Sequence, residues 1–188
     1  MDRHDVAEAA VGVTLREAML QAAARDSVAR EYATDFEVTF TLGVPALRAA
    51  WEGGAGAGLD GSALAGSALA AAVLDCFLAI LTEVPDTLIA RKRGLEVARE
   101  VSERAREVRA GLRAGGPDGR PELAAFDAEL RDPGHTLNPG TTADLVTASL
   151  FVFLTEAGMP DRVAKEAERL SRLAGRDGEG STAGAGEA

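Results

Sequence analysis

The stretch Leu137-Asn138-Pro139-Gly140-Thr141-Thr142-Ala143-Asp144-Leu145 is a turn that leads directly into an uncharged segment, residues 146–154. Its Asn-Pro-Gly cluster breaks helices. Thr141 or Thr142 is a suitable N-cap, and Asp144 then falls in the first turn, where the helix dipole favours a carboxylate. Because the following segment carries no charge, we predict a buried helix. Its free N–H groups need partners, which are either capping side chains alone or a bound anion or metal-bound phosphate.

The composition favours packed helices in a single domain. The chain has 188 residues, of which 46% are hydrophobic, many of them alanine, and only 4% are aromatic. Alanine favours helices, whereas strands are enriched in β-branched and aromatic residues. We therefore predict an all-α fold, a multi-helix bundle with buried central helices. One domain is expected over residues 1–175, followed by a disordered Gly-, Ser-, Ala- and Glu-rich tail at 176–188.

The charge and the single cysteine limit the classes of partner. A net charge of −10 argues against a nucleic-acid binder that relies on a broad basic surface. Cys76 is the one cysteine, so no disulfide forms within the chain and a cytoplasmic location is expected. The charged N-terminus has no apolar signal region behind it. Residues 62–81, interrupted by Gly66 and Asp75, are predicted to be a core helix rather than a membrane span.

Arg25-Asp26-Ser27 is the first of two further polar junctions. Asp26 or Ser27 can cap a second helix, whose apolar residues continue to Phe40. Asp26 and Arg30 are four residues apart and can pair on one helix face, which contributes only about 0.3–0.5 kcal/mol if the pair is exposed. The junction is either a capped helix with a surface ion pair or a ligand-facing cluster.

Val84-Pro85-Asp86-Thr87 is the second junction. Its proline ends one helix, and Asp86 or Thr87 starts another that carries the basic triplet Arg91-Lys92-Arg93. A tight basic cluster beside an Asp-Thr cap is a candidate anion site in such an acidic chain. The alternative is a solvated basic turn. Residues 26–30 and 86–91 share an acid, a hydroxyl, an apolar pair and an arginine, but two matches are too few to indicate a repeat.

The remaining periodicity predicts helices over residues 5–24, 95–112, 121–130 and 161–173, with an interruption at Pro45. His135, three residues before Asn138, is a candidate acid or base. A histidine in such a turn is more often simply exposed.

The three junction stretches, in this order, resemble the triphosphoribosyl-dephospho-CoA synthase family. Residues 138–144 are similar to that family's Asn-Pro-Gly-Thr-Thr-Ala-Asp signature without a mismatch. Residues 86–94 resemble its Asp-Ser/Thr-Leu-Ile-x-Arg-Lys-x-Gly element, and residues 25–32 resemble a feature of its archaeal-type members.

The resemblance implies an all-helical transferase. ATP and 3′-dephospho-CoA give 2′-(5″-triphosphoribosyl)-3′-dephospho-CoA and free adenine. The family members compared are longer and carry N-terminal motifs, similar to Pro-Gly-Asn-Val-Asp and Gly-Gly-Asn-Thr, that are not found in this chain. The match is therefore expected to cover the C-terminal half of the family domain. A homodimer, or a polypeptide that supplies the other half, is the corresponding expectation. The alternative is a catalytically inactive nucleotide-binding fragment or subunit.

The resemblance also implies roles for individual residues. Displacing adenine leaves a cationic sugar and a retained triphosphate, which cations and N–H dipoles must hold. Catalytic roles fall to Asp26 and Asp144, and Mg²⁺ is expected on Asp86 and Asp144 because carboxylate oxygens suit that ion. The residues expected to bind phosphate or substrate are Arg30, Asp86, Thr87, Arg91, Lys92, Asn138, Thr141 and Thr142.

Overall fold

The computed structural model describes residues 12–53, 63–114 and 119–156, which form α-helices and one π-helical turn but no strand. The predicted all-α class is confirmed. The helices are α1 (Leu15–Ala22), α2 (Ser27–Ala33), α3 (Val44–Gly53), α4 (Ala63–Glu83), α5 (Thr87–Arg93), α6 (Leu95–Arg113), α7 (Gly119–Leu130) and α8 (Gly140–Glu156), with the π-turn at Thr39–Gly43 between α2 and α3.

The long apolar helix α4 is the centre of the fold, as predicted, and packs against α3, α6 and α8. One face contributes Cys76 and Ile80 to a core with α3 and α8. The opposite face contributes Leu78 and Leu81 to a second core with α5, α6 and α7. Each buried Leu or Ile contributes about 1.5–3 kcal/mol relative to an exposed one. Because α4 contributes such residues to both cores, it links the two cores.

One charged residue of α4 is held by two arginines of the outer helix α6. Asp75 accepts hydrogen bonds of 2.9–3.1 Å from the guanidinium groups of Arg109 and Arg113. Burial acts to raise the pKa of Asp75, but the two arginines outweigh it and hold the pKa below its ordinary value. Burial, and then the Asp75 charge, raises the pKa of the neighbouring Cys76 thiol to about 12, which leaves an unreactive core residue.

The prediction of one helix from Ser27 to Phe40 was wrong. Helix α2 ends at Ala33, and Asp35 and Phe36 have positive φ angles of 53° and 62°. The buried Glu31 carboxylate accepts the N–H groups of Val38 and Thr39, both at 2.9 Å, and the Thr39 hydroxyl at 2.6 Å. These bonds anchor the start of a new helical segment, which leads into the π-turn.

Pro45 does not interrupt the chain, contrary to the prediction. It is the second residue of α3, which continues from the π-turn without a break, so the missing proline N–H falls just after the hydrogen-bond pattern changes from π to α. Gly43, at the end of the π-turn, touches α8 closely. A Cβ at this position would lie 1.9 Å from the Ser149 Oγ, so the contact requires glycine.

The predicted helices at residues 62–81, 95–112 and 121–130 are confirmed as α4, α6 and α7. Of the predicted helix over residues 5–24, residues 12–24 are described, and Leu15–Ala22 within them form α1. The predicted helix at residues 161–173 and the tail at 176–188 lie outside those ranges. No single helix among those described is long and apolar enough to cross a membrane, although α4 and α5, bent by 52°, reach that length and composition as a pair.

Candidate active site at three helix starts

The three junction stretches meet, and their hydroxyl side chains join them. The Ser27 N–H donates to the Thr87 Oγ1 at 3.1 Å, and these two hydroxyls also lie 3.1 Å apart. The Thr87 N–H donates to the Thr141 Oγ1 at 3.1 Å, and the Thr87 hydroxyl reaches the same oxygen at 3.2 Å. The starts of α2, α5 and α8 therefore form a hydroxyl ladder, defined as Ser27, Thr87 and Thr141.

Helices α2 and α5 begin in the same way. The Asp26 Oδ1 accepts the N–H groups two and three residues further on, at 2.9 and 3.1 Å. The Asp86 Oδ1 does the same at 2.8 and 3.1 Å. Both are Asp N-caps of seven-residue helices. The sequence likeness between residues 26–30 and 86–91 thus corresponds to a likeness of local structure.

Helix α8 begins differently from the prediction. It starts at Gly140, so Thr141 and Thr142 lie inside the first turn rather than capping it, and Asp144 falls beyond that turn. The cap comes from another helix, because the Asp86 Oδ2 accepts the Thr142 N–H at 2.7 Å and the Thr142 hydroxyl at 2.8 Å. Both side chains are 1% exposed.

A cleft of about 480 Å³ lies beside the hydroxyl ladder. Its polar lining is Asp26, Arg91, Thr141 and Asp144, all four predicted as site residues. The rest of the lining is largely apolar and consists of Met19, Ala22, Val28, Ala29, Leu88 and Gly140. The cleft therefore has a charged part between α2, α5 and α8 and an apolar part that includes α1.

The charged part pairs a cation with a carboxylate. The Arg91 guanidinium lies 3.6 Å from the Asp26 Oδ2, the carboxylate oxygen that does not cap α2. Arg91 and not Arg30 is thus the ion-pair partner of Asp26 in the described chain. Asp144 is exposed at the cleft.

The other predicted residues lie around the cleft rather than on its lining. The Lys92 ammonium donates to the His135 carbonyl at 2.8 Å, and Arg93 donates to the Thr136 hydroxyl at 3.0 Å. Asn138 is exposed and Arg30 is half-buried. Asp86 and Thr142 are buried, and Thr87 is half-buried in the hydroxyl ladder.

The apolar lining was missed by sequence reasoning. Met19 and Ala22 sit on a helix whose spacing indicates only packing. Val28 and Leu88 could have been predicted as lining residues, because each stands two residues after a capping aspartate and therefore at the same position in its helix.

The donor set fits a magnesium ion that is bound together with phosphates. The described residues contain no group of three His, Cys, Asp or Glu side chains able to hold a metal ion by themselves. Asp26 and Asp144 are nevertheless two carboxylates at one cleft. Mg²⁺ is commonly held by one or two carboxylates, with substrate phosphates and water completing its shell.

The chain was compared with known protein families, curated proteins and solved structures. The family model CitG, described as ATP:dephospho-CoA triphosphoribosyl transferase, matches residues 1–163. No curated protein and no solved structure matches the chain.

Proposed function

The chain belongs to the ATP:dephospho-CoA triphosphoribosyl transferase family, and we propose that it moves the 5-triphosphoribosyl group of ATP onto 3′-dephospho-CoA or a related acceptor, with release of adenine. The observation that carries the proposal is the cleft. Its lining includes residues from all three stretches that resemble the family, and these stretches lie 54 and 60 residues apart along the chain.

The reaction is a substitution at the ribose of ATP. An acceptor hydroxyl oxygen bonds to C1 of the ribose, the bond from C1 to the adenine nitrogen breaks, and the hydroxyl proton ends on adenine. In this proposal the Asp26 Oδ2 accepts the hydroxyl proton, because its other oxygen is engaged in capping α2. A carboxylate beside the ribose also stabilises the positive charge that develops on the sugar.

The triphosphate stays on the transferred group, so the site must hold it throughout. Arg91 supplies a guanidinium to the phosphates, and Thr141 supplies a hydroxyl from the start of α8. Asp144 is proposed to hold Mg²⁺ at the triphosphate. When bound, that ion offsets the charge of the phosphate oxygens.

A second candidate is a nucleotide-binding subunit that needs a partner polypeptide or a second copy for turnover. The favouring observation is that Arg91 is the one cation on the described lining of the cleft. A triphosphate carries several negative charges, so further cations would help to hold it.

Adenine release tests the proposal. The purified chain is incubated with ATP, Mg²⁺ and dephospho-CoA, and adenine is measured by chromatography. We expect adenine to form only when the acceptor is present. A thermal shift with Mg-ATP but no adenine supports the second candidate, and neither adenine nor a shift rules out both for the isolated chain.

The Asp144→Asn variant tests the proposed metal ligand. We expect at least a roughly 100-fold loss of turnover, the order of magnitude seen when a group that stabilises transition-state charge is removed. Glu100→Gln is the matched control, since Glu100 is an exposed carboxylate on α6. If Asp144→Asn turns over like Glu100→Gln, Asp144 has no part in the reaction.

A further inference from the structure

The structure gives Asp86, expected from the family resemblance to bind metal, a complete set of partners inside the protein. Its side chain is 1% exposed. One oxygen accepts two N–H groups of α5, and the other accepts the N–H and the hydroxyl of Thr142. A carboxylate offers about four lone-pair directions. Four donors at 2.7–3.1 Å occupy them, which leaves no direction for a metal ion.

These bonds tie together the two helix starts that carry the polar part of the cleft. Asp86 precedes α5, which contributes Arg91, and it binds the residue next to Thr141 on α8. The link is direct and spans 56 positions of sequence. Any shift of α8 along α5 would break these bonds and would change the distance from Arg91 to Asp144.

Side chains at the C-terminal end of α5 also bind the segment that leads into α8. Lys92 and Arg93 donate to His135 and Thr136, in the turn that precedes α8. Helix α5 is therefore attached to residues 135–142 at both of its ends. Of the basic triplet, Arg91 alone lines the cleft.

We propose that Asp86 is a positioning residue, which holds the start of α8 against α5 so that Thr141 and Asp144 face the same cleft as Arg91 and Asp26. The catalytic consequence rests on the proposed function, whereas the effect on the start of α8 does not. Precise placement matters because a misplacement of 1 Å can lower a rate by roughly 100-fold.

Two variants separate the functions of the carboxylate. In Asp86→Asn the amide oxygen still caps α5, but the amide N–H₂ faces the Thr142 N–H, which then lacks an acceptor. Thr142→Val removes the hydroxyl donor with little change of shape and keeps the N–H and the carboxylate. It is the milder change, and it provides the test if Asp86→Asn does not fold.

Steady-state kinetics distinguish positioning from metal binding. For Asp86→Asn we expect kcat to fall by roughly 10–100-fold, with a smaller fall for Thr142→Val. The Mg²⁺ concentration that gives the half-maximal rate should stay unchanged in both. A metal ligand gives the opposite result: the Mg²⁺ requirement rises, and excess Mg²⁺ restores the rate. That result would overturn the proposal.

Hydrogen exchange in the free protein tests the effect of Asp86 on the start of α8 and requires no activity measurement. Asp86→Asn and Thr142→Val should increase deuterium uptake over residues 140–145, whereas Asp144→Asn, at an exposed position, should not. If the wild-type chain releases no adenine, the proposed function fails, and exchange still decides about Asp86. Wild-type uptake over residues 140–145 in both variants would overturn the positioning role.

Discussion

The Arg91→Met variant is expected to lose affinity for Mg-ATP while it keeps its fold. The Arg91 side chain is 61% exposed, and its one ion pair, with Asp26, spans 3.6 Å. Exposed pairs of this kind contribute about 0.2–1 kcal/mol. Methionine retains an unbranched apolar stem, so the free energy of unfolding should fall by less than about 1 kcal/mol.

The effect on binding should be larger. A hydrogen bond to a charged group contributes about 1.5–3 kcal/mol, and 1.36 kcal/mol corresponds to a tenfold change in an equilibrium constant. Loss of one guanidinium contact to the triphosphate should therefore raise the Kd for Mg-ATP by about 10- to 150-fold. Isothermal titration calorimetry measures the Kd, and urea denaturation measures the free energy of unfolding.

Arg99→Met is the control for this prediction. Arg99 is 56% exposed and pairs with Glu96 at 2.7 Å on α6, and it does not line the cleft. We expect its stability to change as little as that of Arg91→Met, with no change in the Kd. A Kd for Arg91→Met within about threefold of wild type, well below the effect of one charged contact, would refute the role of Arg91. An equal rise in both variants would refute it as well.

Three further predictions concern the core, the pH dependence and the basic triplet. Gly43→Ala should lower the free energy of unfolding by about 1–3 kcal/mol through overpacking against Ser149. In urea denaturation, the Gly43→Ala/Ser149→Gly double variant should lose less stability than the sum of the two single variants. Full additivity of the two losses would contradict the close contact. The folded-state pKa of Asp75 is lowered, so the stabilisation from its arginine pairs is present above the ordinary aspartate range and is lost as pH falls through the folded-state pKa. Urea denaturation as a function of pH should therefore show wild type and Asp75→Asn converging in acid, and a gap that stays constant with pH would show that the pairs contribute nothing. Lys92→Met should leave the Kd for Mg-ATP within about threefold of wild type, which is a smaller change than the loss of one charged contact would cause. The reason is that the Lys92 ammonium binds the His135 carbonyl. A rise in Kd like that of Arg91→Met would instead support the phosphate contact expected from the sequence.

The starts of α2 and α5 could be predicted from the sequence because their signals are local. Asp26 and Asp86 each cap the helix that follows them within three residues, and such caps are visible in a linear pattern. The buried course of α4 followed in the same way from its apolar length. That the three starts meet depends on hydrogen bonds across 54 and 60 positions. No local rule predicts these bonds, and only the family resemblance placed the three stretches in one site.

The wrong predictions, for the end of α2 and for the cap of α8, also result from hydrogen bonds between residues distant in sequence. The apolar pattern continues past Ala33, and nothing local shows that the Glu31 carboxylate binds the N–H groups seven and eight residues further on. The cap of α8 was sought in Thr141 and Thr142, but the acceptor is Asp86, at a distance of 56 positions. Sequence also cannot show which members of a basic triplet face a cleft, because that depends on the neighbouring turn.

Tracing the two ends of ATP shows whether the whole triphosphoribosyl group is transferred. The purified chain is incubated with Mg²⁺, dephospho-CoA and ATP labelled either in adenine or in the γ-phosphate, and the products are separated by chromatography. We expect free adenine and γ-labelled acceptor to form in equal amounts, because the whole triphosphoribosyl group moves. Adenine label in the acceptor, or γ-label released as phosphate with adenine still attached to ribose, would contradict it.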